Sequence, residues 1–124
     1  MDLIERLSNA SEGSRELDLA IVRSGVGIPI VQEVWSDDDL LNVSNIMPHY
    51  TTSIDAALTL VPEGWRVYAL QEEYTDKPGV WFAGLDHRTA HYKYGSMIGK
   101  APHPALALCI AALQALNIGG EAMG

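Results

Sequence analysis

Thr52 and Asp55 stand three residues apart at the head of an apolar run, with Tyr50, Thr51 and Ser53 beside them. That spacing carries two chemistries. A threonine and a carboxylate so placed form a capping box, the hydroxyl bonding the third helical N–H and the carboxylate reaching back to the cap. The neighbouring hydroxyls of Tyr50, Thr51 and Ser53 would then flank a helix N-terminus, whose free N–H groups can hold a phosphate or carboxylate. Asp55 would repel such an anion. A second candidate is Gly99-Lys100-Ala101-Pro102-His103-Pro104, where Lys100 and His103 lead into another helix. It reads either as a plain strand-to-helix loop with an exposed lysine or as a phosphate-holding turn. The phosphate-cradling G-x-x-x-x-G-K-[ST] pattern is absent.

A third group consists of Arg66, His91 and Lys93 on extended segments beside Tyr68, Trp81, Tyr92 and Tyr94. Cations next to aromatic faces can stack a purine and neutralise its phosphates, while the same aromatics in strands serve packing alone. His87 and His91 have H-x-x-x-H spacing, but on a turn and a strand without a matching third ligand, so no metal site is expected. Asp37-Asp38-Asp39 lacks the spacing of a calcium loop and reads as a solvated acidic turn. The one cysteine, Cys109, lies in the most apolar stretch and reads as a small buried hydrophobe rather than a nucleophile. No nucleophile elbow, triad order or zinc-protease motif is present, and no cofactor is expected.

These residues sit in a chain of 124 residues that is 48% hydrophobic and 19% charged, which predicts one globular domain, 1–124. A net charge of −8 opposes the counterion-releasing contacts on which binding to long nucleic acid depends. A local cationic pocket for a small phosphorylated ligand remains compatible with that balance. The N-terminal Met1-Asp2-Leu3-Ile4-Glu5-Arg6 has neither a basic region nor a long apolar run, and no apolar run reaches membrane-spanning length, so a cytoplasmic protein is expected.

Asp2 and Glu5 form a capping box for a first short helix with Leu3, Ile4 and Leu7 as its stripe. Ser11-Glu12-Gly13-Ser14 breaks it, and a second helix runs from Arg15 to Gly25 as its C′ residue. Residues 26–48 hold Ile28, Ile30, Val31, Val34 and Trp35 with no clean period, and read as an irregular connector or as an arm that packs on a second copy. Three strands follow, Trp65–Glu73, Val80–Leu85 and Thr89–Met97, parted by Asp76-Lys77-Pro78-Gly79 and Asp86-His87-Arg88. In the first, Trp65, Val67 and Ala69 share one face and Arg66, Tyr68 and Leu70 the other; apolar residues on both faces predict a sheet covered on both sides. A strong helix from Pro104 to Asn117 carries Leu106, Cys109, Ile110 and Leu113 on one face, and Gly119–Gly124 read as a flexible tail. The fold expected is α+β: a three-stranded antiparallel sheet sandwiched between helices.

Two ordered blocks, Tyr50-Thr51-Thr52-Ser53-Ile54-Asp55-Ala56-Ala57-Leu58 through Val61-Pro62-Glu63-Gly64-Trp65, and Pro104-Ala105-Leu106-Ala107-Leu108-Cys109-Ile110-Ala111-Ala112-Leu113, carry a family likeness. With the early Arg15-Glu16-Leu17-Asp18 they resemble the small bacteriophage and prophage proteins grouped as the phage ABA sandwich domain. The likeness covers most of the chain apart from residues 26–48, which are longer and more apolar than the linker expected there. It implies a helix-sheet-helix sandwich and a setting, an accessory protein acting in the host bacterial cytoplasm, and it brings no catalytic residues. Small phage accessory proteins commonly act against host defences, some by withholding a nucleotide-derived signal; that is analogy of setting, not chemistry.

The expectation is therefore a non-enzymatic protein that binds a small anionic, nucleotide-type ligand through Tyr50, Thr51, Ser53, Arg66, His91, Lys93, Lys100 and His103. An interaction module using residues 26–48 and a hydrolase of a small phosphorylated molecule are the alternatives. A homo-oligomer, most simply a two-fold dimer built through the arm, is expected because a domain this small has little surface to cover those apolar residues.

Overall fold

The computed structural model describes residues 3–24, 48–73, 79–89 and 95–123, with the side chains of 117–123 excepted. Asp2, Gly25, nearly all of the 26–48 segment, His91, Tyr92, Lys93 and Tyr94 lie outside the described residues. Among the described residues, seven elements run in the order α1 (Leu3–Asn9), α2 (Arg15–Arg23), α3 (Ile54–Leu58), β1 (Trp65–Glu72), β2 (Trp81–His87), β3 (Ser96–Ala101) and α4 (Pro104–Met123). The strands form one antiparallel sheet in the order β1-β2-β3, and the α+β class read from the sequence stands.

The long helix α4 is the centre of the domain. From Ala105 to Leu113 every side chain is buried, as expected of a helix that is apolar all round and covered on more than one side. One side meets the sheet: a Cβ built on Gly99 of β3 would lie 2.1 Å from the Ala107 carbonyl oxygen and 3.0 Å from the Ile110 Cβ. Gln114 Nε2 donates to the Ile98 carbonyl at 2.9 Å, tying the helix to the β3 edge. Another side meets the segment ahead of α3, where the Cys109 thiol donates to the Tyr50 carbonyl at 3.1 Å. Cys109 and Ile110 thus serve different layers, which corrects the single stripe predicted for Leu106, Cys109, Ile110 and Leu113. α1 and α3 also pack on α4, and α2 packs on α1. Among the described residues, the layer covered on both sides is this helix.

Several boundaries differ from the sequence reading. β1 opens after a turn in which the Trp65 N–H donates to the Pro62 carbonyl at 3.1 Å with Gly64 at φ 90°, the conformation a second central turn residue needs. A bulge between Val67 and Ala69 then shifts the register, so that Val67 faces Leu85 and Ala69 faces Gly84. Beyond it the faces exchange: Leu70 joins the core side beside Ala83, and Ala69 does not. The third strand occupies Ser96–Ala101, so Gly99, Lys100 and Ala101 belong to a strand and not to the predicted strand-to-helix loop. α4 continues to Met123, through the Gly119-Gly120 pair where the sequence placed a stop.

The sheet face turned away from α4 carries Arg66, Tyr68, Phe82, Asp86, Ile98 and Lys100. Tyr68 and Ile98 on it are exposed, and the Tyr68 ring lies over Gly84, where a Cβ would come within 2.5 Å of its Cζ.

Candidate functional site

Three chain segments meet at a cleft of about 430 Å³. Glu12 and Gly13 arrive from the turn before α2, Thr51 to Asp55 from the approach to α3, and His103, Pro104 and Ala105 from the start of α4. The volume lies in the range of small-molecule sites, roughly 300–1,000 Å³.

The wall formed by Thr51 to Asp55 owes its shape to a buried carboxylate. Asp18, in the first turn of α2, is fully buried. Its Oδ1 accepts the Thr51 N–H at 2.8 Å and the Thr51 hydroxyl at 2.7 Å. Its Oδ2 accepts from Arg15 Nη1 at 2.8 Å, and the same nitrogen donates to the Pro48 carbonyl at 3.2 Å. The Thr51 oxygen in turn accepts the Ser14 N–H at 3.0 Å. Both carboxylate oxygens thereby receive donors, which a buried charge requires. Gly13 closes against the same residue, since a Cβ there would stand 2.2 Å from the Thr51 carbonyl oxygen.

α3 is capped by Ser53, whose hydroxyl oxygen accepts the Ala56 N–H at 3.2 Å. The predicted capping box of Thr52 and Asp55 is corrected by one residue, because the pull of Asp18 on Thr51 sets the register and leaves Ser53 at the cap. Asp55 then falls in the first turn, where its charge favours the helix N-terminus. At α4 the first intrahelical bond runs from the Ala107 N–H to the His103 carbonyl at 3.1 Å. Pro104 has no N–H to satisfy, and the N–H groups of Ala105 and Leu106 precede that bond.

The predicted ligand residues divide between these places. Thr51, Ser53 and His103 come together at the cleft. Tyr50 and Thr51 do not present free hydroxyls as expected: Tyr50 is 1% exposed and Thr51 fully buried, the latter spent on Asp18. Arg66 and Lys100 lie on the outer sheet face, one paired with Asp86 at 3.2 Å and the other with Glu73 at 2.7 Å. Alternation along a strand put them on that face, away from the side that receives α4. His91 and Lys93 lie outside the described residues. Sequence reasoning did not single out Glu12, which joins the lining, or Asp18; an acid in the first turn of a helix ordinarily reads as a partner of the helix dipole.

Burial raises the Tyr50 phenol above its ordinary range, with a smaller contribution from the Asp18 charge. The same two causes push the Cys109 thiol up to about 12, so at neutral pH it is a protonated, unreactive core group. Among the described residues no three His, Cys, Asp or Glu side chains are grouped to hold a metal, and no helix is long and apolar enough to cross a membrane. No family model, no curated protein and no solved structure matches the chain.

Proposed function

We propose that this chain binds a small nucleotide-type anion in the cleft at the start of α4, and does so as a non-enzymatic phage accessory protein in the host cytoplasm. The cleft itself carries the reading: it is of small-molecule size and gathers Ser53, Asp55, Glu12 and His103 from three segments around the N-terminus of the long helix. The lining is of mixed character. His103 and the leading N–H groups of α4 suit a phosphate. Glu12 and Asp55 disfavour a bare anion and suit hydroxyl or amino donors, as a carboxylate suits the hydroxyls of a ribose. A ligand with a phosphate at one end and a sugar or base at the other answers both requirements. The likeness to phage ABA sandwich proteins supplies the setting by analogy alone.

Calorimetry and thermal denaturation against cyclic and linear nucleotides, with inorganic phosphate alongside, test this. A nucleotide should give heat and raise the melting point where phosphate does not, because a ligand held only by the folded state stabilises it. Silence across the panel at micromolar protein overturns the reading. Mass spectrometry of the recovered ligand separates holding from turnover: intact nucleotide supports binding, and a hydrolysed product moves the protein into the hydrolase class. Ile28, Ile30, Val31, Val34 and Trp35 support a dimer, which light scattering would report as twice 13.5 kDa.

A further inference from the structure

We infer that Asp18 is a positioning residue for the cleft, a latch that holds the Pro48–Ser53 segment down on α2 and over Cys109, and whose release opens that wall without unfolding the sheet and α4. The inference uses the cleft reading for its functional meaning.

The latch is built from charged and buried parts. Two bonds from Thr51 and one from Arg15 converge on the Asp18 carboxylate, and Arg15 reaches on to the Pro48 carbonyl. Thr51 closes the circuit by accepting from the Ser14 N–H. The segment so held has little structure of its own on this side of α3. The N–H groups of Thr52 and Ser53 both donate to the His49 carbonyl, at 3.3 and 2.9 Å. The sheet and α4 make their own contacts, through the strand registers and the Gln114 bond to Ile98. Besides the buried Tyr50 and the bond its carbonyl takes from Cys109, the segment's polar ties to the body run through the Asp18 carboxylate and its neighbours Ser14 and Arg15, and a wall so held is an opening unit distinct from the body. Because Thr51 to Asp55 line the cleft, the position of that wall sets the cleft's shape.

The chain carries its own reporter. Cys109 is the single cysteine, fully buried beneath this segment with its thiol on the Tyr50 carbonyl. Lifting the segment uncovers it. Labelling by a small aromatic disulfide reagent, followed over a series of low urea concentrations, therefore reads the latch with no ligand present. Asp18→Ala removes all three acceptor contacts. Asp18→Asn keeps one oxygen, but its amide N–H₂ then faces either the Thr51 donors or the Arg15 guanidinium. Thr51→Val removes the hydroxyl's bond to Asp18 and the acceptor of the Ser14 N–H while leaving the Thr51 N–H on Asp18, and Thr51→Ser keeps all of these.

Asp18→Ala and Thr51→Val should each label at least about tenfold faster than the parent, since each loses bonds to a buried charge. Those rates should be nearly independent of urea below the unfolding transition, and Thr51→Ser should stay within about threefold of the parent. Parent-like rates in both variants overturn the inference. So does acceleration with the full urea dependence of global unfolding, which would mean that Cys109 is reached only when the whole domain opens. Should Asp18→Ala show no cooperative transition, Thr51→Val against Thr51→Ser decides on the same criteria. A silent nucleotide panel leaves this result standing, and a failed latch leaves the panel result standing.

Discussion

Gly99 and Gly84 lie on neighbouring strands and on opposite faces of the sheet, and replacing each by alanine should have opposite consequences. At Gly99 the new methyl would sit 2.1 Å from the Ala107 carbonyl oxygen and 2.8 Å from the Ala111 nitrogen, both backbone atoms of α4. Neither can turn aside, so the helix must move off the sheet by more than an ångström. Over-packing of this kind costs about 1–3 kcal/mol, and the helix it displaces is the one on which the rest of the domain is packed. Against that stands a gain of about 0.4–1 kcal/mol from restricting the unfolded chain. At Gly84 the obstacle is the Tyr68 ring, 2.5 Å away at Cζ, but Tyr68 is 45% exposed and can swing into solvent. There the unfolded-chain gain survives almost whole. Equilibrium urea unfolding followed by tryptophan fluorescence should place Gly99→Ala about 1–2 kcal/mol below the parent and Gly84→Ala about 0.4–1 kcal/mol above it. Equal stability of the two variants, or a more stable Gly99→Ala, would show that α4 does not approach the sheet as closely as the geometry states.

Ser53→Ala should cost about 1 kcal/mol by removing the α3 cap, while Thr52→Ala next to it should stay within about 0.5 kcal/mol, which thermal denaturation of the pair resolves. Arg66→Ala and Lys100→Ala break ion pairs whose cations are 58% and 54% exposed, so each should change stability by less than about 1 kcal/mol. Both should also leave the affinity of any nucleotide held at the cleft unchanged, and a loss there would return the outer sheet face to the site. Cys109 supplies an alkaline limb to the stability. Its folded value near 12 stands above its ordinary 9.0, so the unfolded state loses its proton first. The stability is whole below pH 9 and falls between there and about 12 by up to about 1.4 kcal/mol per pH unit. Cys109→Ala should flatten that limb in urea titrations, leaving the part contributed by Tyr50 among the described residues.

What was legible in the chain was whatever its signals decide locally. The apolar stripe of α1, the start of α2 at Arg15, the positions of β1 and β2, and the alanine-leucine run of α4 depend on neighbours within a few residues, and they stand near where the sequence put them. The third strand depends on more distant partners. Residues 90–94 of the predicted strand 89–97 lie outside the described residues, and the described strand Ser96–Ala101 is a poor strand by composition. Its Gly99 is chosen for the closeness of α4, a contact that no local propensity records. The bulge at Tyr68 is a similar case, since one unpaired residue reverses which side chains of β1 face the core.

The site was half legible for a related reason. Tyr50-Thr51-Thr52-Ser53 offers four hydroxyls, and any of the last three could cap the helix that follows. The choice among them is made by Asp18, 33 residues earlier in the chain, which takes both the N–H and the hydroxyl of Thr51. That choice buries Thr51, hands the cap to Ser53 and turns Asp55 toward the cleft, so one long-range partner, through two bonds, redistributes the roles of a whole motif. A hydroxyl that looked available to a ligand is instead the fold's means of fixing its neighbours. Recognition at this cleft accordingly falls to the residues on either side of Thr51, and Thr51 and Asp18 act on a ligand only through the geometry they impose on them.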